Sequence, residues 1–144
     1  MRNDTSKIPA YFWVLATFFL LWNIMGVASF LMHTFISDES LALLPVAEQE
    51  LYNSYPMWTI VAFGIAVLGG FLGSIGLLRK RKWSKLLFII SLFGIVPQMI
   101  HNVFFTKTLE VYGPEAALMP MMVVVFGAFL VWFADLGIKK SWLR

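Results

Sequence analysis

Cysteine is missing from all 144 residues, which removes disulfide frameworks, thiolate metal sites and cysteine nucleophiles together. Charge is scarce as well: 13% of the chain is Asp, Glu, Lys or Arg and 60% is apolar, against roughly 25% and 45–50% in soluble domains. A small soluble sphere has too much surface for its volume to hide that much apolar area. Most of the chain must dissolve in lipid. A net charge of +3 is too small to point to nucleic acid, so no nucleic-acid partner is expected. The few charges are absent altogether from four stretches, 10–32, 56–78, 86–105 and 116–134, the shortest of 19 residues. A helix rising about 1.5 Å per residue crosses a ~30 Å hydrocarbon core in about 20 residues. None of the four alternates in polarity as a barrel strand does. The expected fold is all-α, a single membrane domain over 1–144 with four transmembrane helices in an antiparallel bundle. Arg2 and Lys7 resemble the basic start of a signal peptide, but the 23 residues of the first run exceed the roughly 7–15 of a signal core. An uncleaved helix is the better reading.

Orientation follows from the basic residues, which favour short cytoplasmic loops. Ten of the eleven, all but Lys107, lie in the N-terminal tail, the 79–85 loop and the C-terminal tail. Asp38, Glu39, Glu48, Glu50, Glu110 and Glu115 fall in the other loops with Lys107. Both termini are therefore expected on the cytoplasmic side. The 79–85 loop is short enough to make the second and third helices antiparallel neighbours, and Tyr112-Gly113-Pro114 signals a turn before the fourth. In the long 33–55 connection, Pro45 suits a helix start with Glu48 and Glu50 close behind it. This predicts a short outer-surface helix near 45–54, resting Leu44, Leu51 and Tyr55 on the membrane.

The faces of the spans differ. At about 100° per residue, Thr59, Ala62, Ala66, Gly69, Gly73 and Gly76 share one side of the second helix, widened by Gly70 and Ser74. Small side chains let helix backbones approach in lipid; the stripe reads either as close packing inside the bundle or as the seam of a homodimer. On the third helix, Ser91, Gly94, Gln98, His101, Asn102 and Phe105 lie on one side, next to the kink expected at Pro97. Asn23 occupies a similar depth on the first helix, so Asn23 and Gln98 are expected to meet.

A carboxamide in lipid needs partners. Asn23, Gln98 and Asn102, with the indole N–H of Trp22 and the imidazole of His101, therefore read in two ways: as hydrogen-bonding glue between helices, or as the lining of a pocket for a neutral hydroxylated solute. His33 and His101 have nothing beside them to support a haem or metal site, so no cofactor and no metal are expected, and His33 reads as a solvated end residue. No span carries an acid or base near its middle, as proton-coupled carriers usually do. Asp135, at an inner edge, is expected to pair with Arg79 or Lys82. Without a serine–histidine–acid order, a phosphate loop or paired catalytic carboxylates, the chain does not read as an enzyme.

The run Leu21-Trp22-Asn23-Ile24-Met25-Gly26, Tyr55-Pro56-Met57-Trp58, the stretch Gly76 to Trp83, the stretch Leu87 to Gln98 and the closing Ser141-Trp142-Leu143-Arg144 together resemble a family of small bacterial four-helix membrane proteins often called sugar transporters. The resemblance implies a bacterial inner (cytoplasmic) membrane protein; it supplies no functional residues. Small multidrug transporters share the span count but are built around a glutamate where this chain has Asn23. The expected function is transport of a small solute, sugars included, by a homodimer or other oligomer, because four helices alone enclose little volume. The alternative is a non-transporting accessory or structural membrane protein.

Overall fold

The computed structural model describes residues 7–144; Arg2, counted above with the basic tail, lies outside them. The described chain is helical throughout: α1 (Ala10–Thr34), α2 (Asp38–Ala42), α3 (Val46–Ser54), α4 (Met57–Leu78), α5 (Trp83–Ile100) widening into a π-helical turn (His101–Phe105), α6 (Thr108–Tyr112), a 3-10 turn (Pro114–Ala117) and α7 (Leu118–Lys139). Four of these segments, Ala10–Thr34, Met57–Leu78, Trp83–Phe105 and Pro114–Lys139, are long and apolar enough to cross a membrane. The protein is an all-α, multi-pass integral membrane protein. Pro9, Pro45 and Pro56 sit just before α1, α3 and α4, where a fixed φ and a missing N–H cost little because the first helical amides lack partners anyway.

At the basic end, the third and fourth spans overrun their sequence limits for one reason. The third begins at Trp83 instead of 86, and the fourth continues beyond 134 to Lys139. Lys85 and Asp135 bound the charge-free runs, but Lys85 Nζ lies 2.8 Å from Asp135 Oδ1 and Lys139 Nζ 2.9 Å from Oδ2. A paired charge near a helix end, carried on a long aliphatic stem, need not stop the helix. Asp135 thus joins α5 to α7, not the 79–82 turn where Arg79 and Lys82 lie.

Contacts between neighbouring helices run α1–α4–α5–α7. Half of the most apolar stretch of α4 is buried, against 11% for α1, which makes α4 the central helix. Three of its glycines face α5: a Cβ on Gly69 would lie 3.1 Å from Ser91, one on Gly73 2.7 Å from the Phe88 ring, and one on Gly76 2.6 Å from the Trp83 ring. Ala66 is buried in the same interface, and the Ala62 carbonyl lies where a Cβ on Gly94 would sit. The stripe is therefore covered by α5 within one chain and leaves no surface there for a second copy.

α1 and α7 meet through large rings instead of backbones. Phe12 stacks on Phe133 (5.6 Å between centroids), Phe19 meets Phe126 and Phe129 (both 5.5 Å), and Trp22 meets Phe126 edge-on (4.9 Å). The end that carries the basic residues is closed by the chain itself. α4 and α7 both finish in the same left-handed turn, with Lys80 (φ 57°) and Ser141 (φ 60°) in the position that usually takes glycine. The turns bring residues 80–82 beside the C-terminal segment, where Arg144 N–H donates to the Lys80 carbonyl (2.7 Å) and Lys82 N–H to the Arg144 carbonyl (2.9 Å). Trp142 and Leu143 are driven inward onto Phe12 and Gly137.

At the acidic end, α2, α3 and α6 form a cap. The surface helix expected at 45–54 is Val46–Ser54. It does not rest its apolar residues on the membrane: Leu51 is 5% exposed and Tyr55 reaches inward to α5. The reason is α6, a short helix not anticipated from sequence, which supplies a protein surface for Leu51 to pack against.

Candidate functional site

Because α4 is drawn tightly onto α5 by glycine while α1 and α7 are held apart by aromatic rings, the bundle is not solid. Two adjoining chambers occupy its middle and its acidic half. The deep chamber, about 220 Å³, lies at mid-helix between all four spans and is lined by Trp22, Asn23, Ser91, Gln98 and Phe126, with Met25, Val67, Ile95, Met119 and Val123 among its apolar walls. The shallow chamber, about 270 Å³, lies under the cap and is lined by Ser29, His33, Tyr55, Thr59, Gln98 and Asn102. Ser29, Phe63, Gln98 and Met99 border both, so the chambers adjoin. Towards the basic end the deep chamber stops at the buried layer of Phe12, Phe19, Leu77, Phe88, Phe133 and Trp142. The cavity is blind.

Gln98 does not pair with Asn23. Asn23 Nδ2 donates to the Phe19 carbonyl (2.7 Å) and to Ser74 Oγ (3.0 Å), fixing α1 to α4. A Cβ on Gly70 would collide with Asn23 Oδ1, so the glycine creates the room for this side chain. Counting residues from the helix ends put Asn23 and Gln98 at one depth, but the α1 rotation that seats Phe12, Ala16 and Phe19 inward turns Asn23 towards α4. The Gln98 side-chain oxygen is buried and has no hydrogen-bond partner.

Asn102, past the proline-bearing part of α5, is the centre of a different cluster. Its Oδ1 accepts from Tyr55 Oη (3.0 Å) and Thr108 Oγ1 (2.7 Å), while Thr106 Oγ1 donates to the Asn102 carbonyl. This ties the α3–α4 link and α6 to the end of α5 and roofs the shallow chamber. Pro97 cannot donate a backbone bond, and the widened turn at 101–105 follows it.

His101 falls outside both chambers. Its ring stacks on Phe105 and meets Trp58 edge-on, and its Nδ1 is buried without a partner. One residue of rotation in a widened turn is enough to part it from Asn102, so the single stripe read along the third helix divides at its end. His33 moves the other way. Instead of standing in solvent, it is half-buried against Tyr52 (4.6 Å between centroids) and Tyr55 (5.4 Å) and lines the shallow chamber. Ser29, His33, Tyr55 and Thr59 are the lining residues that sequence reasoning missed. Thr59 stood in the small-residue stripe, and Ser29 lies four residues before His33, the one periodic signal that could have joined them. Among the described residues, no three His, Cys, Asp or Glu side chains gather into a metal site.

A double-mutant cycle separates the two carboxamides. Asn23→Ala and Ser74→Ala should show a coupling of about 0.6 kcal/mol, the usual size for such bonds in lipid. Asn23→Ala and Gln98→Ala should be additive. Thermal melts of the three single and two double variants in detergent provide the check; coupling on the second pair alone would reverse the assignment.

Comparison with known protein families, curated proteins and solved structures finds no match to this chain.

Proposed function

We propose that this protein is a small-solute membrane carrier, and that the two chambers hold a small neutral solute with hydroxyl or amide donors, a sugar among them. The observation that carries the reading is Gln98, which lines both chambers and whose side-chain oxygen is buried without a partner. A buried acceptor left unpaired is costly, and a donor on a bound solute would satisfy it. No Asp, Glu, Lys or Arg lines either chamber, which favours a neutral solute. Together the chambers approach the roughly 300–1,000 Å³ of ordinary small-molecule sites. The cavity lies within a single chain, so an oligomer would serve stability or the opening of the basic end, not the lining of the site.

The decisive measurement is counterflow of radiolabelled neutral solutes, sugars and polyols included, in proteoliposomes of the purified protein. Saturable accumulation of at least one, abolished by an excess of the same unlabelled compound, is expected. The sealed basic end favours a second reading, a non-transporting accessory protein: passage requires Trp142 and Leu143 to leave their seats. No counterflow across the panel would decide for it.

The membrane would be a bacterial inner membrane, with both termini cytoplasmic. The support for the orientation is the charge pattern, with ten of the eleven basic residues in the N-terminal tail, the 79–85 loop and the C-terminal tail. With no native cysteine to interfere, Ser40→Cys and Ser141→Cys test it, since both positions are exposed. An impermeant thiol reagent on intact cells should label the first and spare the second. The opposite pattern would invert the topology.

A further inference from the structure

We propose that the solute of this site is a membrane amphiphile, with one apolar chain and a neutral hydroxyl-bearing head, which reaches the deep chamber sideways from the bilayer between α1 and α7. The proposal rests on the reading of the chambers as a binding site and names the class of its ligand.

Three observations carry it. First, the two adjoining chambers differ in chemistry. The deep one has mostly apolar walls, and the shallow one gathers His33, Tyr55, Thr59 and Asn102, with Gln98 at the junction. A uniformly hydroxylated molecule that filled both chambers would leave some of its hydroxyls unpaired against the deep walls, which costs free energy. A chain attached to a head would not. Second, the seam between α1 and α7 is closed by rings only as far as Trp22 and Phe126; among the described residues no ring contact joins the two helices nearer the acidic end. There Met25 and Met119, which line the deep chamber, are 63% and 56% exposed on the lipid-facing surface. Methionine adapts its shape to irregular apolar partners, so this mouth suits a flexible chain. Third, neither chamber presents a charged side chain to a phosphate or an ammonium. A charged head would enter without a counter-charge, and the bare Gln98 acceptor calls instead for an O–H donor. A monoacylglycerol has this chemistry.

The test uses the full chain in phosphatidylcholine nanodiscs with a monoacylglycerol carrying a diazirine in mid-chain. Photolabel is expected on residues 22–29 and 119–130, competed by unlabelled monoacylglycerol and not by glycerol. Gln98→Leu should weaken the labelling affinity about tenfold, the loss of one buried hydrogen bond. Val123→Trp, which fills the deep chamber from α7, should suppress labelling while leaving the melting temperature near that of the wild type. Label spread evenly over the lipid-facing positions and resistant to competition would overturn the proposal, whatever the variants do. Competition by glycerol or a free sugar as strong as that by monoacylglycerol would also overturn it, yet leave the small-solute reading standing. Failure of labelling together with absent counterflow would remove both.

Discussion

Gly94→Leu should lower the melting temperature in detergent by on the order of 10 °C, or prevent the folded protein from accumulating. A Cβ on Gly94 would lie 2.8 Å from the Ala62 carbonyl oxygen and 3.1 Å from the Ala66 amide nitrogen. These are backbone atoms inside α4 and cannot rotate aside, so the helices must part. Separation would also open the contacts that Gly69, Gly73 and Gly76 make with Ser91, Phe88 and Trp83. Helix propensity runs the opposite way, since leucine exceeds glycine by roughly 1 kcal/mol in a helix; any net loss must come from packing. Gly26→Ala is the control, because its Cβ would meet Val67 at 3.5 Å, an ordinary contact. The measurement is thermal unfolding of both variants by circular dichroism. A Gly94→Leu protein that melts with the wild type would mean that α4 and α5 do not pack on this face.

Gln98→Leu should do the reverse: leave stability unchanged or slightly raised, and sharply reduce solute uptake. The wild-type side-chain oxygen is buried with no partner, and relieving one unpaired acceptor is worth about 1–3 kcal/mol at most. Leucine has similar bulk, so it seals the junction of the chambers without forcing the helices apart. A bound solute, however, loses its hydrogen bond at the point where both chambers meet, and affinity should fall about tenfold or more. Asn23→Leu should show the opposite balance, because Asn23 bonds across α1 and α4. Counterflow beside a melting curve for the two variants separates these roles. Undiminished uptake by a folded Gln98→Leu protein would rule out the chambers as the path of the solute.

The number of spans, their antiparallel order and the basic end are all written in composition and in charge-free run length, because a bilayer demands about 20 apolar residues per crossing whatever the packing. The glycine stripe was equally legible, since small residues at helical spacing mark a close backbone approach. Its partner was not. Periodicity places Gly69 and Gly73 on one side of a helix but says nothing about which helix, or which copy of the chain, occupies that side. The α5 backbone answers it. Charge likewise misplaced two span ends, because the pairing of Lys85 with Asp135 is made between helices and leaves no trace in either run.

The sequence by itself determined that this is an all-α membrane protein and supplied the scarce polar residues from which any site in it must be built. Tertiary structure alone decided how they are shared out. Rotation of α1 under the Phe12, Ala16 and Phe19 packing gave Asn23 to Ser74; the widened turn after Pro97 gave Asn102 to Tyr55 and Thr108 and turned His101 away; Gln98 was left bare between two chambers. The physical reason is that a side chain's partner depends on helix rotation and on how far apart neighbouring helices stand. Those quantities are set jointly by glycines on one interface and phenylalanines on another, many residues away in the chain.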